Sequence, residues 1–74
     1  MLTVPEIKDA CDRDMPMWIE DVGCGIGSGW ATAKKVPTTN TELFVYNRTH
    51  PDGIFLSLKN YTKTWRCWKE PLHG

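Results

Sequence analysis

Seventy-four residues, 41% of them hydrophobic and 24% charged, make one domain spanning 1–74, and that length excludes a doubly wound sheet, a TIM barrel or a second domain. Four tryptophans supply large apolar area to a small core, which argues against disorder. Nine Lys and Arg against nine Asp and Glu leave a formal net charge of zero, so neither a general nucleic-acid binder nor an acidic nucleic-acid mimic is expected.

The opening Met1-Leu2-Thr3-Val4-Pro5-Glu6 has no basic region followed by an apolar stretch, and no apolar run approaches the roughly 20 residues a bilayer requires. A cytoplasmic protein without membrane contact is the expectation. Thr3 and Glu6 stand at capping-box spacing, and Leu2 and Ile7 at the positions of a hydrophobic staple. A helix therefore starts here, burying Val4, Ile7, Ala10 and Cys11 and leaving Lys8, Asp9, Asp12 and Arg13 to water, and it ends near Asp14 because Pro16 disfavours helical geometry just before itself. Met17–Glu20 reads as a strand with Met17 and Ile19 on one face and Trp18 and Glu20 on the other.

Glycine then alternates with larger residues from Gly23 to Gly29, and two readings stand: a hairpin whose turn the glycines make, or a strand with one bare face on which Trp18 or Trp65 could lie. Trp30–Val36 follows as a strand, Pro37–Thr41 as a polar loop, and Leu43–Tyr46 as a β-branched and aromatic strand. Pro51-Asp52-Gly53 turns the chain into Ile54–Leu58, with Ile54, Leu56 and Leu58 on one face, and Thr64–Trp68 is the fifth strand. The expected fold is α+β: one N-terminal helix and a small antiparallel sheet of about five strands, an SH3-like or otherwise partly open barrel with the helix over one opening.

Cys11, Cys24, Cys67, His50 and His73 are scattered singly, without the paired spacing of a zinc site or a disulfide framework, so reduced thiols, no metal and no cofactor are expected. Cys24 is the one candidate nucleophile, because flanking glycines could expose it and offer amides as an oxyanion hole, but no base is linked to it in sequence and no catalytic residue is assigned. The glycines do not complete a dinucleotide fingerprint, where Ser28 would have to be Gly, and no phosphate-loop Gly-Lys-Ser/Thr follows. Around Trp65-Arg66-Cys67-Trp68 the strand period sends the two rings to opposite sides. Trp65 is assigned to the core and Trp68 to an interface or ligand surface.

The run Tyr61-Thr62-Lys63-Thr64-Trp65-Arg66-Cys67-Trp68 with Pro71 after it resembles the ending of small phage and prophage proteins of uncharacterised function, which carry Y-G-K-T-W-R-x-W/Y followed by Pro. The first twenty residues, with Met1-Leu2-Thr3, Glu6-Ile7-Lys8 and the Pro16–Glu20 strand, are similar to the same proteins. Thr62 departs from their usual Gly and leaves open whether the chain takes a left-handed turn there. The resemblance implies a phage accessory protein, non-enzymatic, acting in the host cytoplasm by binding.

Two binding modes are consistent with the residues. In the first, a homo-oligomer captures a small anionic nucleotide-type immune signal in pockets between subunits, with Trp68 stacking and Arg66, Lys63, Lys34 and Lys35 supplying charge. In the second, a small adaptor blocks a host protein, such as a defence effector, by direct contact.

Overall fold

A computed structural model describes residues 1–71. Helix α1 (Val4–Asp12) is followed by strands β1 (Met17–Asp21), β2 (Gly29–Lys35), β3 (Glu42–Tyr46) and β4 (Ile54–Ser57), a 3-10 turn (Leu58–Asn60) and β5 (Trp65–Trp68). The five strands form one antiparallel sheet in the order β4-β3-β2-β1-β5, curled into a half-barrel. The chain is thus the α+β open barrel that its pattern predicts.

The capping box is made as the spacing requires: Thr3 N donates to Glu6 Oε1 at 2.8 Å, and Glu6 N donates to Thr3 Oγ1 at 3.3 Å. These bonds hold the Glu6 carboxyl below its ordinary range, with the Thr3 backbone bond the first cause. The helix stops two residues before the expected Asp14. Asp14 N donates to Cys11 O and Met15 N to Ala10 O, a Schellman closure in which Asp14, at φ 56°, takes the left-handed position usually given to Gly.

The barrel interior is lined by Met17 and Ile19 of β1, Ala31 and Ala33 of β2, Leu43 and Val45 of β3, Leu56 of β4, and Trp65 and Cys67 of β5, with Ile7 and Cys11 of α1 laid over them. α1 packs on β2, and the small side chains of Ala31 and Ala33 leave it room to do so. Ile26, from the glycine loop, completes the core.

Strand ends differ from the sequence pattern for local reasons. Ser57 accepts from Lys59 N at 3.2 Å and turns Leu58 out of β4 into the 3-10 turn, although Leu58 N still reaches Thr41 O at 2.7 Å. Thr62 does take the left-handed conformation, at φ 73°, so that its N–H meets Trp65 O at 2.7 Å. Tyr61 then ties three segments together: its hydroxyl donates to Leu2 O at 2.5 Å and accepts from Cys67 N at 3.3 Å, while its ring tilts against Trp65 with centroids 4.8 Å apart. Burial pushes the Tyr61 phenol up to about 12.

Candidate binding face

Three of the four tryptophans are outside. Trp18 of β1 stands directly opposite Trp30 of β2 on one side and Trp68 of β5 on the other, so one register row carries Trp30, Trp18 and Trp68 across three adjacent strands. The Trp18 and Trp30 rings meet edge to face with centroids 5.9 Å apart, and Trp30 remains 48% exposed. Farther along the same outer face, Phe44 packs against Tyr46 at 5.0 Å and against Phe55 at 4.9 Å, and Phe55 is 60% exposed. A Cβ on Gly53, itself at φ 85°, would come within 2.5 Å of the Phe44 ring. Here a ring does lie on a glycine, but it is Phe44 on Gly53, not Trp18 or Trp65 on the Gly23–Gly29 tract.

Trp65 is core, 1% exposed, with its indole N–H donating to Ser57 O at 3.0 Å. Trp68 is half-buried on the outer face, its indole N–H donating to Glu20 Oε1 at 3.1 Å, and Glu20 Oε2 lies 3.5 Å from Arg66 Nη1. One carboxylate therefore sits between the ring and the cation proposed to act together.

The other cations are distributed. Lys34 Nζ lies 2.7 Å from Asp14 Oδ1 and Lys35 Nζ 2.7 Å from Asp12 Oδ1, two half-exposed ion pairs that fasten the end of α1 to the end of β2. Each aspartate raises the pKa of its lysine, the hydrogen bond being the first cause. Lys63 is exposed in the turn before β5. Along the register, Lys34 is six positions from the Arg66 row and two strands across, roughly 20 Å at 3.3 Å per residue and 4.8 Å per strand. Within one subunit, Arg66 and Trp68 come together, but Lys34 and Lys35 do not join them.

The glycine tract is a loop, and what approaches its backbone is a carboxylate of the chain itself. Asp21 Oδ1 accepts from Gly23 N at 2.8 Å, Cys24 N at 3.0 Å and Gly25 N at 3.3 Å, while Oδ2 accepts from Gly27 N at 2.9 Å. These amide bonds, that from Gly27 first, hold the Asp21 carboxyl below its ordinary range. The amides that an oxyanion hole or a phosphate cradle would use are thus occupied. Cys24 Sγ lies 3.6 Å from the same Oδ1, and burial raises its thiol above the ordinary value. Burial also raises Cys11, and lifts Cys67 to about 12.

A feature without a sequence signal is the hollow of about 460 Å³ beside Trp30, lined by Ser28, Gly29, Trp30, Asn47, Arg48 and Thr49. Its floor is braced where Asn47 Nδ2 and Thr49 Oγ1 both donate to Ile26 O at 3.3 Å, docking the β3–β4 turn on the glycine loop. Arg48 has no ion-pair partner among the described residues. Trp30 and Arg48 flank the open end of the β2–β3 hairpin, eighteen residues apart in sequence, and the antiparallel pairing of β2 with β3 makes them neighbours.

Among the described residues no three His, Cys, Asp or Glu side chains form a metal-holding group, and no helix is long and apolar enough to cross a membrane. His73, counted with the scattered ligands, lies outside the described residues. No family model, curated protein or solved structure matches the chain.

Proposed function

We propose that this chain is a non-enzymatic binding protein, an accessory protein of the phage type its two ends resemble, that acts by docking its outer tryptophan row on a host protein. The observation that carries this reading is the placement of Trp30, Trp18 and Trp68 in one row outside the barrel. Tryptophans at the centre of an apolar patch are the commonest anchors of protein interfaces. The cation beside Trp68 supports the same reading, since Arg66 faces Glu20 and is neutralised by it.

A second reading, capture of a small anionic nucleotide-type signal, draws on the hollow where exposed Trp30 adjoins Arg48. Ring and guanidinium there offer stacking and phosphate pairing from one place.

The deciding experiment is affinity capture from a bacterial host followed by reconstitution with the purified captured protein. Trp30→Ala should weaken that complex by about 30-fold, the scale of a 2 kcal/mol anchor, with the melting temperature held. An unchanged affinity in Trp30→Ala sinks the docking reading. Calorimetry against cyclic dinucleotides, cyclic ADP-ribose isomers and mononucleotides examines the second: heat that disappears in Arg48→Ala would establish it in place of the first.

A further inference from the structure

The hollow beside Trp30 carries a single charge. Ser28, Gly29, Trp30, Asn47 and Thr49 are neutral, Arg48 is cationic, and no carboxylate is among the lining residues. Arg66 and Lys34 are answered within the chain, by Glu20 at 3.5 Å and Asp14 at 2.7 Å, whereas Arg48 is exposed and meets no carboxylate among the described residues. Lys69, next to Trp68 in sequence, borders a different groove, with Leu2 and Pro5 of the helix side. The indoles of Trp65 and Trp68 have acceptors in Ser57 O and Glu20 Oε1, while the Trp30 N–H meets none among the described residues.

The turn that carries Arg48 is braced on both sides of it. Asn47 N donates to His50 O at 3.3 Å, Asn47 Oδ1 accepts from His50 N at 2.7 Å, and Asn47 Nδ2 donates to Ile26 O at 3.3 Å. The backbone beneath the guanidinium is thus fixed before a ligand arrives, which lowers the ordering cost of using it.

We propose, resting on the docking reading above, that the segment this chain binds on a host protein is acidic and apolar together: an apolar side chain lies against Trp30 and Trp18, and the carboxylate of a neighbouring aspartate or glutamate enters the hollow to pair with Arg48. One guanidinium matches one carboxylate and can give it two parallel N–H bonds, whereas a nucleotide bearing more than one phosphate charge would find no second cation in the hollow. The apolar half follows from continuity, because Trp30 is both a wall of the hollow and the end of the tryptophan row. The interface also acquires a direction: at the Trp68 end Glu20 already pairs with Arg66, so the partner's acid belongs at the Arg48 end.

The test is selection from a displayed library of random linear peptides on the purified chain and on Arg48→Glu, followed by fluorescence anisotropy with the enriched peptides made synthetically. The chain should enrich Asp or Glu beside large apolar residues, and Arg48→Glu should enrich Lys or Arg in that place. Arg48→Ala should weaken the acidic peptide by about fivefold, the scale of a partly screened ion pair, with no further loss when the peptide's acid is also replaced by its amide. Melting temperature should hold in both variants, since the Arg48 side chain is exposed. Peptides that need Trp30 but enrich no acid, or that tolerate Arg48→Glu, would overturn this proposal and leave the docking reading standing. Peptides indifferent to Trp30→Ala, or no enrichment at all, would remove both. Calorimetric heat with a mononucleotide that is lost in Arg48→Ala, together with no binding of acidic peptides, would overturn the proposal in favour of the nucleotide reading.

Discussion

The two faces of strands β1, β2 and β5 make an instructive pair, because the same few residues furnish both. The inner face of β2 carries Ala31 and Ala33, small enough to admit α1, and that of β5 carries Trp65 and Cys67. The outer face of the same strands carries Trp18, Trp30 and Trp68. Most of the indole area therefore lies where it does least for the interior. One tryptophan fills the barrel, and the other three stand on its outer face.

Truncating the inner ring gives the largest effect that contrast predicts. Trp65→Ala should cost about 3–5 kcal/mol in urea unfolding, the range for aromatic truncation in a core, whereas Trp68→Ala should cost about 1 kcal/mol or less. Equal losses would break the distinction between the faces. The aromatic cluster at the far end depends on backbone as well as rings: Gly53→Ala meets both a left-handed φ and the Phe44 ring, and should cost about 2 kcal/mol in the same assay. A loss no larger than a few tenths of a kcal/mol would mean that Phe44 moves freely.

Smaller effects sharpen the edge that Tyr61 and Thr62 seal. A β-branched residue at φ 73° is strained, so Thr62→Gly should raise stability by about 1 kcal/mol, read as a shift in melting temperature. An unchanged or lower melting temperature would show that the threonine is held by more than its backbone conformation.

The least expected change is confined to acid. Because amide bonds lower the Asp21 pKa on folding, its contribution is fully present above the ordinary carboxylate value and is lost as pH falls through the lower folded value. Melting temperature should fall below about pH 4, and less steeply in Asp21→Asn, which gives up that contribution at every pH. Identical slopes would show that the loop is not held by this charge.

Much of the fold is written locally. Thr3 and Glu6 fix the helix start by reciprocal bonds three residues apart, and the period-two alternation from Met17 and from Trp65 fixes which side chains face inward, since a strand has only two faces. That logic also separates Trp65 from Trp68. Pairing order is another matter: nothing in residues 17–21 or 65–68 by themselves says that β5 lies beside β1, and so nothing says that Trp68 meets Trp18.

The site shows the same division. Arg66 and Trp68 are neighbours in sequence and in space, but Glu20 enters between them only when β1 and β5 pair. Alternating glycines announce a backbone open to close approach, while the identity of the visitor, Asp21, follows from the loop closing on its own first residue. Lys34 and Lys35 read as free charges along the chain and become struts to Asp14 and Asp12 once α1 lies on β2. Composition and period thus determined the helix, the strands and the inner face of this protein, because those depend on contacts within a few residues. Which rings share the outer row, which cations are left uncompensated and what seals the β5 edge were decided by tertiary structure, because each depends on residues that only the folding together of distant segments brings into contact.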